Sequence, residues 1–126
     1  MSIEGFALRK GDTYNWKLQF DDGGTPATPI DITGRTLTFT VKSALTDTDE
    51  NALVQVATTF QAGADSTAGI GYIFIPHTET ENLVPGAKVY YDFQMAYTDS
   101  QSRLVVNTLA AGTVKVDWEV TLSVPT

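Results

Sequence analysis

The chain of 126 residues carries a formal net charge of −7 at pH 7 and contains no cysteine. Its length predicts a single domain over residues 1–126, and its 42% of apolar and 18% of charged residues are typical of a folded protein rather than a disordered one. The acidic balance and the scattered basic residues make nucleic acid an unexpected partner, and the absence of cysteine excludes disulfides, thiolate metal sites and cysteine nucleophiles.

The sequence predicts neither a membrane anchor nor a secretory signal. No apolar run approaches the ~20 residues that a membrane-spanning helix needs. Residues 1–10 lack the basic region followed by an apolar stretch that marks a signal peptide. We therefore expect a protein that is made in the cytoplasm, without secretion or membrane insertion.

The first part of the chain predicts two strands separated by turns. Residues 3–8 form a short candidate strand, and residues 10–12, Lys-Gly-Asp, are interpreted as the turn after it rather than as a displayed ligand-like tripeptide. Residues 14–20 alternate large apolar and polar side chains with a period of two, which places four large apolar groups on one face of a sheet. The Asp-Asp-Gly-Gly run at 21–24 ends this strand.

The middle of the chain continues the period-two pattern. Residues 35–42 place Leu37, Phe39 and Val41 on one face and three threonines on the other, where the branched side chain fits the pleat and the hydroxyl stays hydrated. Residues 53–59 and 69–75 are further candidate strands. The turn-forming separators between these strands are residues 21–29, 46–51 and 61–68.

One segment, residues 77–86, breaks the strand pattern. Thr78 and Glu81 have the spacing of a capping box, and Pro85-Gly86 is a helix stop signal. This pattern predicts one helical turn near residues 78–84 that crosses from one sheet to the other. We expect the Leu83 side chain to be buried in the core at this crossing.

The last third predicts three more strands. Residues 89–97 form a long stripe, residues 103–109 a shorter strand, and residues 98–102 and 110–112 the turns that flank it. A final stripe alternates apolar with polar residues, and its apolar members are Val114, Val116, Trp118, Val120, Leu122 and Val124. Both tryptophans, Trp16 and Trp118, are therefore expected in the core. Seven to nine strands with almost no helical pattern predict an all-β antiparallel sandwich or barrel.

The histidine content argues against catalysis. His77 is the single histidine; it has no cysteine to activate, and no serine stands in a G-x-S-x-G nucleophile motif. Zinc would need three or four imidazole or thiolate ligands, which the chain lacks. We interpret His77 as a polar residue at the start of the helical turn.

The acidic residues contain one partial match to a calcium loop. Residues 47–51, Asp-Thr-Asp-Glu-Asn, have oxygen ligands on alternate residues, but Ala52 stands where glycine should follow and Thr58 where the bidentate glutamate should stand. Asp21, Asp22 and Asp31 are interpreted as turn residues. The sequence thus predicts no catalytic, cofactor-binding or metal-binding residue.

Two aromatic residues fall outside the core stripes, Tyr90 and, less clearly, Phe6. Tyr90 shares its strand face with Asp92 and Gln94, so it is either a ligand contact or a corner residue. The "LVPG" of residues 83–86 followed by Tyr90-Tyr91 resembles the corner of immunoglobulin-like and fibronectin-type domains, in which a tyrosine bonds back to the backbone. We favour the corner for Tyr90.

The order of these segments carries a family resemblance. Lys10-Gly11-Asp12-Thr13, "PIDITGRTLTFTVK", "LVPG" with Tyr90-Tyr91-Asp92, and Gly112-Thr113 together resemble small tail-associated proteins of bacteriophages, in particular the N-terminal domain family of baseplate upper proteins. The resemblance extends from about residue 3 to residue 121. It implies an immunoglobulin-like sandwich that acts as a noncatalytic virion component and docks on other virion proteins. It supplies no functional residues. In that family the domain is followed by a long region that carries receptor-binding proteins, which residues 1–126 do not include, so we expect a phage structural role rather than the baseplate role in particular.

Three functions remain open from the sequence. The first is a structural or adaptor protein of a tailed phage, in the tail, baseplate, fibre attachment or head–neck region, with other virion proteins as partners and a homo-oligomer such as a trimer or hexamer. The second is a carbohydrate-binding module for a bacterial surface glycan, which predicts an exposed Trp or Tyr at one end of the sandwich. The third, an enzyme, is the least supported, and no cofactor is expected.

Overall fold

The computed structural model describes residues 1–3 and 5–118, and these form a seven-stranded sandwich with few helical residues. The strands are β1 Ser2–Ile3, β2 Tyr14–Gln19, β3 Thr36–Lys42, β4 Val54–Thr59, β5 Ile70–Ile75, β6 Lys88–Thr98 and β7 Leu104–Lys115. Two one-turn helices, α1 Ala64–Thr67 and α2 His77–Thr80, and a 3₁₀ turn at Asp49–Asn51 complete the elements.

The strands form two antiparallel sheets. One has three strands in the order β1-β2-β5, and the other has four in the order β4-β3-β6-β7. The second and fifth strands pair in one sheet and the third and sixth in the other, which is the arrangement of immunoglobulin-like sandwiches. The all-β sandwich predicted from the sequence is confirmed, with seven strands in the described residues.

The core lies between the sheets and is built by the predicted stripes. Its centre is aromatic: Trp16 is 5% exposed and stands edge-on to Phe39, with ring centroids 5.3 Å apart, while Phe39 and Phe93 are 4.7 Å apart. Phe6 completes the cluster against Tyr91 at 4.7 Å. Such pairs add about 0.5–1.5 kcal/mol each to the stability that burial provides. Phe6 is thus a core contact rather than an exposed platform residue.

The crossing between the sheets is confirmed, although its cap differs from the prediction. α2 lies between β5 and β6, and Leu83 just after it is 1% exposed. The helix begins one residue earlier than expected, after Pro76, so Thr78 is inside the helix and no side chain caps its start. Thr80 fastens the turn instead: its hydroxyl donates to the Asp12 carbonyl at 2.7 Å.

The N-terminal segment and the loop before β5 differ from their predictions. The strand expected over residues 3–8 shortens to β1 because the backbone turns at Gly5, whose φ is +67°. Residues 61–68, expected to be only a turn, contain α1. Ser66 holds it in place by donating its hydroxyl hydrogen to the Gln61 carbonyl at 2.6 Å, while its own carbonyl accepts the Ile32 N–H.

β7 is longer than the sequence pattern predicts. The turn expected at residues 110–112 is absent, because a bulge near Leu109 lets one continuous strand follow β6 to Lys115. The small residues that suggested a turn serve packing: a Cβ on Gly112 would lie 3.2 Å from the Tyr91 hydroxyl. The bulge therefore curves the strand without ending it.

The prediction of a buried Trp118 is wrong. After β7 the chain pairs with the segment between β1 and β2, where the Asp117 N–H donates to the Leu8 carbonyl at 2.8 Å. The alternation of the strand therefore stops at the buried Val116. Trp118 is 68% exposed and lies over the backbone of Gly86. The rest of the predicted stripe, Val120, Leu122 and Val124, lies outside the described residues.

Within residues 1–3 and 5–118, the helices are all too short to cross a bilayer.

Candidate functional site

The outer face of the four-stranded sheet is polar and rich in threonine. β3 turns Thr36, Thr38 and Thr40 outward, each opposite a neighbour on β4 and on β6. The hydroxyls of Thr36 and Thr59 are 2.8 Å apart across the β3–β4 pair. Cross-strand hydroxyl pairs of this kind stabilise a sheet while they leave its face able to bond to a ligand or partner.

Charged groups stand on this face near the end of β3. Lys42 is the last residue of β3, and its Nζ lies 2.8 Å from Asp49 Oδ1 in an ion pair. Burial raises the pKa of Asp92, against weaker downward pull from Lys42, and the amide of Gln94 lies 3.4 Å from the Asp92 carboxylate. Asp92 is a partly desolvated acceptor, a group that gains by receiving hydrogen bonds from a bound molecule.

Two adjoining grooves meet at Thr40, Lys42 and Asp92. The first, of about 470 Å³, runs toward β7 and is lined by Thr40, Lys42, Leu45, Tyr90, Tyr91, Asp92, Ala111, Gly112 and Thr113. The second, of about 550 Å³, runs toward β4 and is the more polar. Tyr90 stands between Lys42 on β3 and Thr113 on β7, so it forms an aromatic wall beside the Asp92 carboxyl.

The free edge of β7 is the second notable surface. β7 is the last strand of its sheet, and among the described residues it pairs with β6 alone. Two apolar side chains point outward from it, Leu104 at 72% and Val106 at 52% exposure, and Lys115 is its one charged residue. A long open edge whose one charge stands at its end is a template for adding another strand, which natural proteins otherwise block.

The histidine and the acidic residues that were weighed as ligands and set aside in the sequence lie apart in the structure. His77 is exposed, with Nδ1 3.3 Å from Glu81 Oε1. In the partial calcium loop, Asp47 accepts bonds from Ser43 and from the Ala44 N–H, while Asp49 pairs with Lys42. Within the described part of the chain, no three His, Asp or Glu side chains come together as a metal site would require.

The predicted turn aspartates are turn residues. Asp21 accepts the Gly23 N–H at 2.9 Å, Asp22 accepts the Gly24 N–H at 2.8 Å, and Asp31 accepts the Thr33 N–H at 3.0 Å. The pKa of Asp22 is lowered most by the Thr28 N–H, which donates to the same carboxylate at 3.0 Å, and then by the Gly24 N–H; the pKa of Asp31 is lowered by the side chain and the N–H of Thr33. Lys10-Gly11 likewise forms a turn, in which Gly11 has a φ of +78°.

The corner prediction for Tyr90 is not met. Its side chain lies on the outer sheet face near Lys88, whose Nζ is 5.7 Å from the ring centroid, and within the described residues its hydroxyl makes no hydrogen bond to the backbone. The groove at Tyr90 was missed from sequence because it needs β3, β6 and β7 side by side. The signal that was present is the outward triplet of Thr40, Lys42 and Asp92, which the alternation places on polar faces.

Aromatic exposure on the other sheet was also missed. β5 points Gly71, Ile73 and Ile75 inward, so Tyr72 and Phe74 face solvent. The two rings lie opposite Lys17 and Asn15 of β2.

Comparisons of the chain with family models, curated proteins and solved structures gave no significant match.

Proposed function

We propose that the chain is a noncatalytic structural or adaptor protein of a tailed-phage virion, in the tail, baseplate, fibre attachment or head–neck region, that acts by docking on other virion proteins and on copies of itself. The resemblance of its turns and strands to phage tail-associated proteins suggests the setting. The structural feature that supports docking is the open edge of β7.

The edge is suited to docking by strand addition. A free edge presents unpaired backbone N–H and C=O groups, and a docked strand satisfies them while alternate side chains supply specificity. β7 offers twelve residues of such backbone, from Leu104 to Lys115, and its outward Leu104 and Val106 supply apolar contact. This surface requires no catalytic group, in keeping with a structural role.

The proposal is tested on particles. Phage particles from the source of the gene are purified on a density gradient, and peptides of this chain are quantified by mass spectrometry beside a host cytoplasmic enzyme as the contamination control. We expect the chain to band with the particles at a fixed ratio to the major tail protein, and an antibody against it to label the tail or neck. A chain that stays with the host enzyme would refute the virion role.

The grooves favour a second candidate, binding of a bacterial surface glycan. Tyr90 gives a ring face on which a sugar can stack, and the polar side chains of Thr40, Lys42 and Asp92 line the same groove. The exposed Trp118 also agrees with the aromatic exposure that this function predicts, although it lies on another part of the surface.

Calorimetric titration with glycan fragments of the host envelope tests the second candidate. Tyr90→Ala should abolish binding, whereas Tyr72→Ala, which removes an exposed ring from the opposite sheet, should leave it unchanged. In the free protein acrylamide should quench Trp118 and spare the buried Trp16. Equal binding by both alanine variants would exclude the groove as the glycan site.

A further inference from the structure

We propose that β7 pairs with β7 of a second copy of this chain, antiparallel and around a two-fold axis between Leu109 and Ala110. The two four-stranded sheets would thereby join into one sheet of eight strands. This inference deepens the docking function proposed above and rests on its premise that the β7 edge docks. It names the occupant of that edge as the chain itself.

The burial of β7 side chains points to a two-fold partner. Along Leu104–Lys115 the half-buried residues are Val105, Leu109, Ala110 and Val114, and all other residues are exposed. This pattern reads the same in both directions about the Leu109–Ala110 midpoint. An isologous two-fold contact needs a surface that matches itself when it is turned around, and the burial of β7 has that symmetry over its whole length.

The bulge is what makes full-length self-pairing possible. Phe93 faces Ala110 while Gln94 faces Thr108, so Leu109 is the extra residue. Before the bulge the even-numbered side chains point outward, and after it the odd-numbered ones do. Side chains directly opposite each other in a sheet must share a face. In an unbulged strand of twelve residues, pairing about the midpoint would set every outward residue against an inward one.

With the bulge, every pair of opposed residues shares a face. On the outer face Leu104 lies opposite Lys115, Val106 opposite Thr113, and Thr108 opposite Ala111. The last two sets combine β-branched and small side chains, which suit cross-strand contact. Leu104 gains cover from the aliphatic stem of the partner's Lys115.

The inner face is compatible at its four half-buried positions, and its third pair sets the exposed Asn107 opposite the partner's exposed Gly112. Val105 lies opposite the partner's Val114, a β-branched pair, and Leu109 opposite the partner's Ala110, a large residue against a small one. Each pair occurs twice by symmetry. No polar side chain is left facing an apolar one at either of these positions.

Charge favours the β7 edge as the place where two copies meet. The chain carries a net charge of −7, so two copies repel each other over most approaches. β7 contains no acidic residue, and its one charged residue, Lys115, stands at its end. The edge is therefore a surface on which self-association meets little like-charge opposition.

Charge reversal at one opposed pair tests the contact. Thr108→Glu with Ala111→Glu places Glu against Glu twice across the axis, and Thr108→Lys with Ala111→Glu places Lys against Glu twice. Both variants carry the same change at Ala111, so its effect inside the chain, next to Asp92, is shared. Gln55→Glu with Ala57→Glu is the charge-matched control on the outer face of β4, at the opposite edge of the sheet.

Solution mass is measured by size-exclusion chromatography with light scattering over a dilution series. We expect the native chain, the β4 control and the Lys–Glu variant to give twice the 13.6 kDa of one chain, or a larger even-numbered assembly, and the Glu–Glu variant to give 13.6 kDa. A native monomer at every concentration, a trimer, or a dimer that survives in the Glu–Glu variant would overturn the inference.

Distances between spin labels fix the register. Because the chain has no cysteine, a single introduced cysteine carries the label. Val106→Cys and Thr113→Cys should give the same inter-copy spacing, about 24 Å from the seven-residue offset at about 3.4 Å per residue. A register shifted by two residues would split the values to about 31 and 17 Å. Unequal distances, or none, would overturn the proposed pairing.

The two proposals can fail separately. If the chain bands with particles but is monomeric or pairs through another surface, the virion role stands and the β7 pairing is refuted. If the chain pairs through β7 but is absent from particles, the β7 pairing stands and the virion role is refuted.

Discussion

Replacement of Tyr14 by phenylalanine should stabilise the fold, because the Tyr14 hydroxyl is buried without a hydrogen-bond partner among the described residues. The ring itself is well placed, stacked on Trp16 at a centroid distance of 5.0 Å, and phenylalanine keeps that contact. The Arg9 backbone is near enough to pull the pKa of Tyr14 downward, but it does not reach hydrogen-bonding geometry, and burial, the larger effect, raises that pKa.

The size of the gain follows from the balance of two effects. A buried polar group without a partner costs about 1–3 kcal/mol of folding free energy, and the variant recovers that cost. Removal of one oxygen leaves a small void. At about 24 cal/mol per Å³, this void lowers the free energy of unfolding by only a few tenths of a kcal/mol. The net expectation is an increase of about 1 kcal/mol in the free energy of unfolding. Most substitutions in a core change stability in the opposite direction.

Urea denaturation followed by tryptophan fluorescence measures the effect. With a denaturant slope of about 1–3 kcal/mol per molar urea, the Tyr14→Phe midpoint should rise by roughly 0.3–1 M. Tyr72→Phe is the matched control, because its ring is exposed on the outer face of β5 and its midpoint should not move. A lower midpoint for Tyr14→Phe would show that the hydroxyl is bonded and would refute the reasoning.

A pH series gives an independent check of the same burial. Because the folded state raises the pKa of Tyr14 above 10.0, the unfolded chain loses that proton first as the pH rises. The contribution of the Tyr14 ionisation to the free energy of unfolding is therefore fully present below pH 10 and is lost above it, because the folded state then binds more protons than the unfolded one. Tyr14→Phe lacks this loss, so its advantage over the native chain should widen above pH 10.

Two further substitutions test the crossing and the β6–β7 turn. Leu83→Ala should cost about 2–5 kcal/mol in urea denaturation, because it leaves a cavity between the sheets, whereas Val84→Ala, at an exposed neighbour, should cost under about 0.5 kcal/mol. The Arg103 N–H bonded to Asp99 lowers the pKa of that carboxylate. Its stabilisation is present above pH 3.8 and is lost as the pH falls further, so the Tm difference between the native chain and Asp99→Asn should narrow from pH 5 to pH 2.

The alternation of side chains was enough to predict β2 to β6, both the strands paired on two sides and the edge strands β4 and β5. β2, β3 and β6 begin and end within a few residues of their predicted limits, because a strand with one buried face must keep its register. Leu83 was also placed correctly, since a leucine at the crossing between two sheets can reach the core, while its neighbour Val84 stays exposed. These are constraints that act on neighbouring residues and are visible in the sequence.

The errors arise where the structure depends on residues far apart in the chain. Trp118 continues an alternating pattern, but its exposure is decided by the contacts of the preceding residues with Leu8 and Ala87. The small residues near Gly112 suggest a turn, and only the Tyr91 hydroxyl, which a Cβ on Gly112 would approach to 3.2 Å, explains the glycine. The groove was missed for a related cause, since its three walls come from three strands.

The groove and the edge adjoin, which gives the two proposed surfaces a common consequence. Ala111 and Thr113 line the groove beside Tyr90 and also belong to the β7 edge. In the proposed pair, the partner's Thr108 and Val106 would lie directly beyond them and extend that wall, and the two-fold axis would set two such grooves on one continuous sheet face. A ligand with repeated units would then engage both grooves with an effective concentration set by their fixed spacing. Loss of tight binding in the Glu–Glu variant but not in the Lys–Glu variant, which carries the same Ala111→Glu change in the groove wall, would separate this arrangement from a groove that works alone.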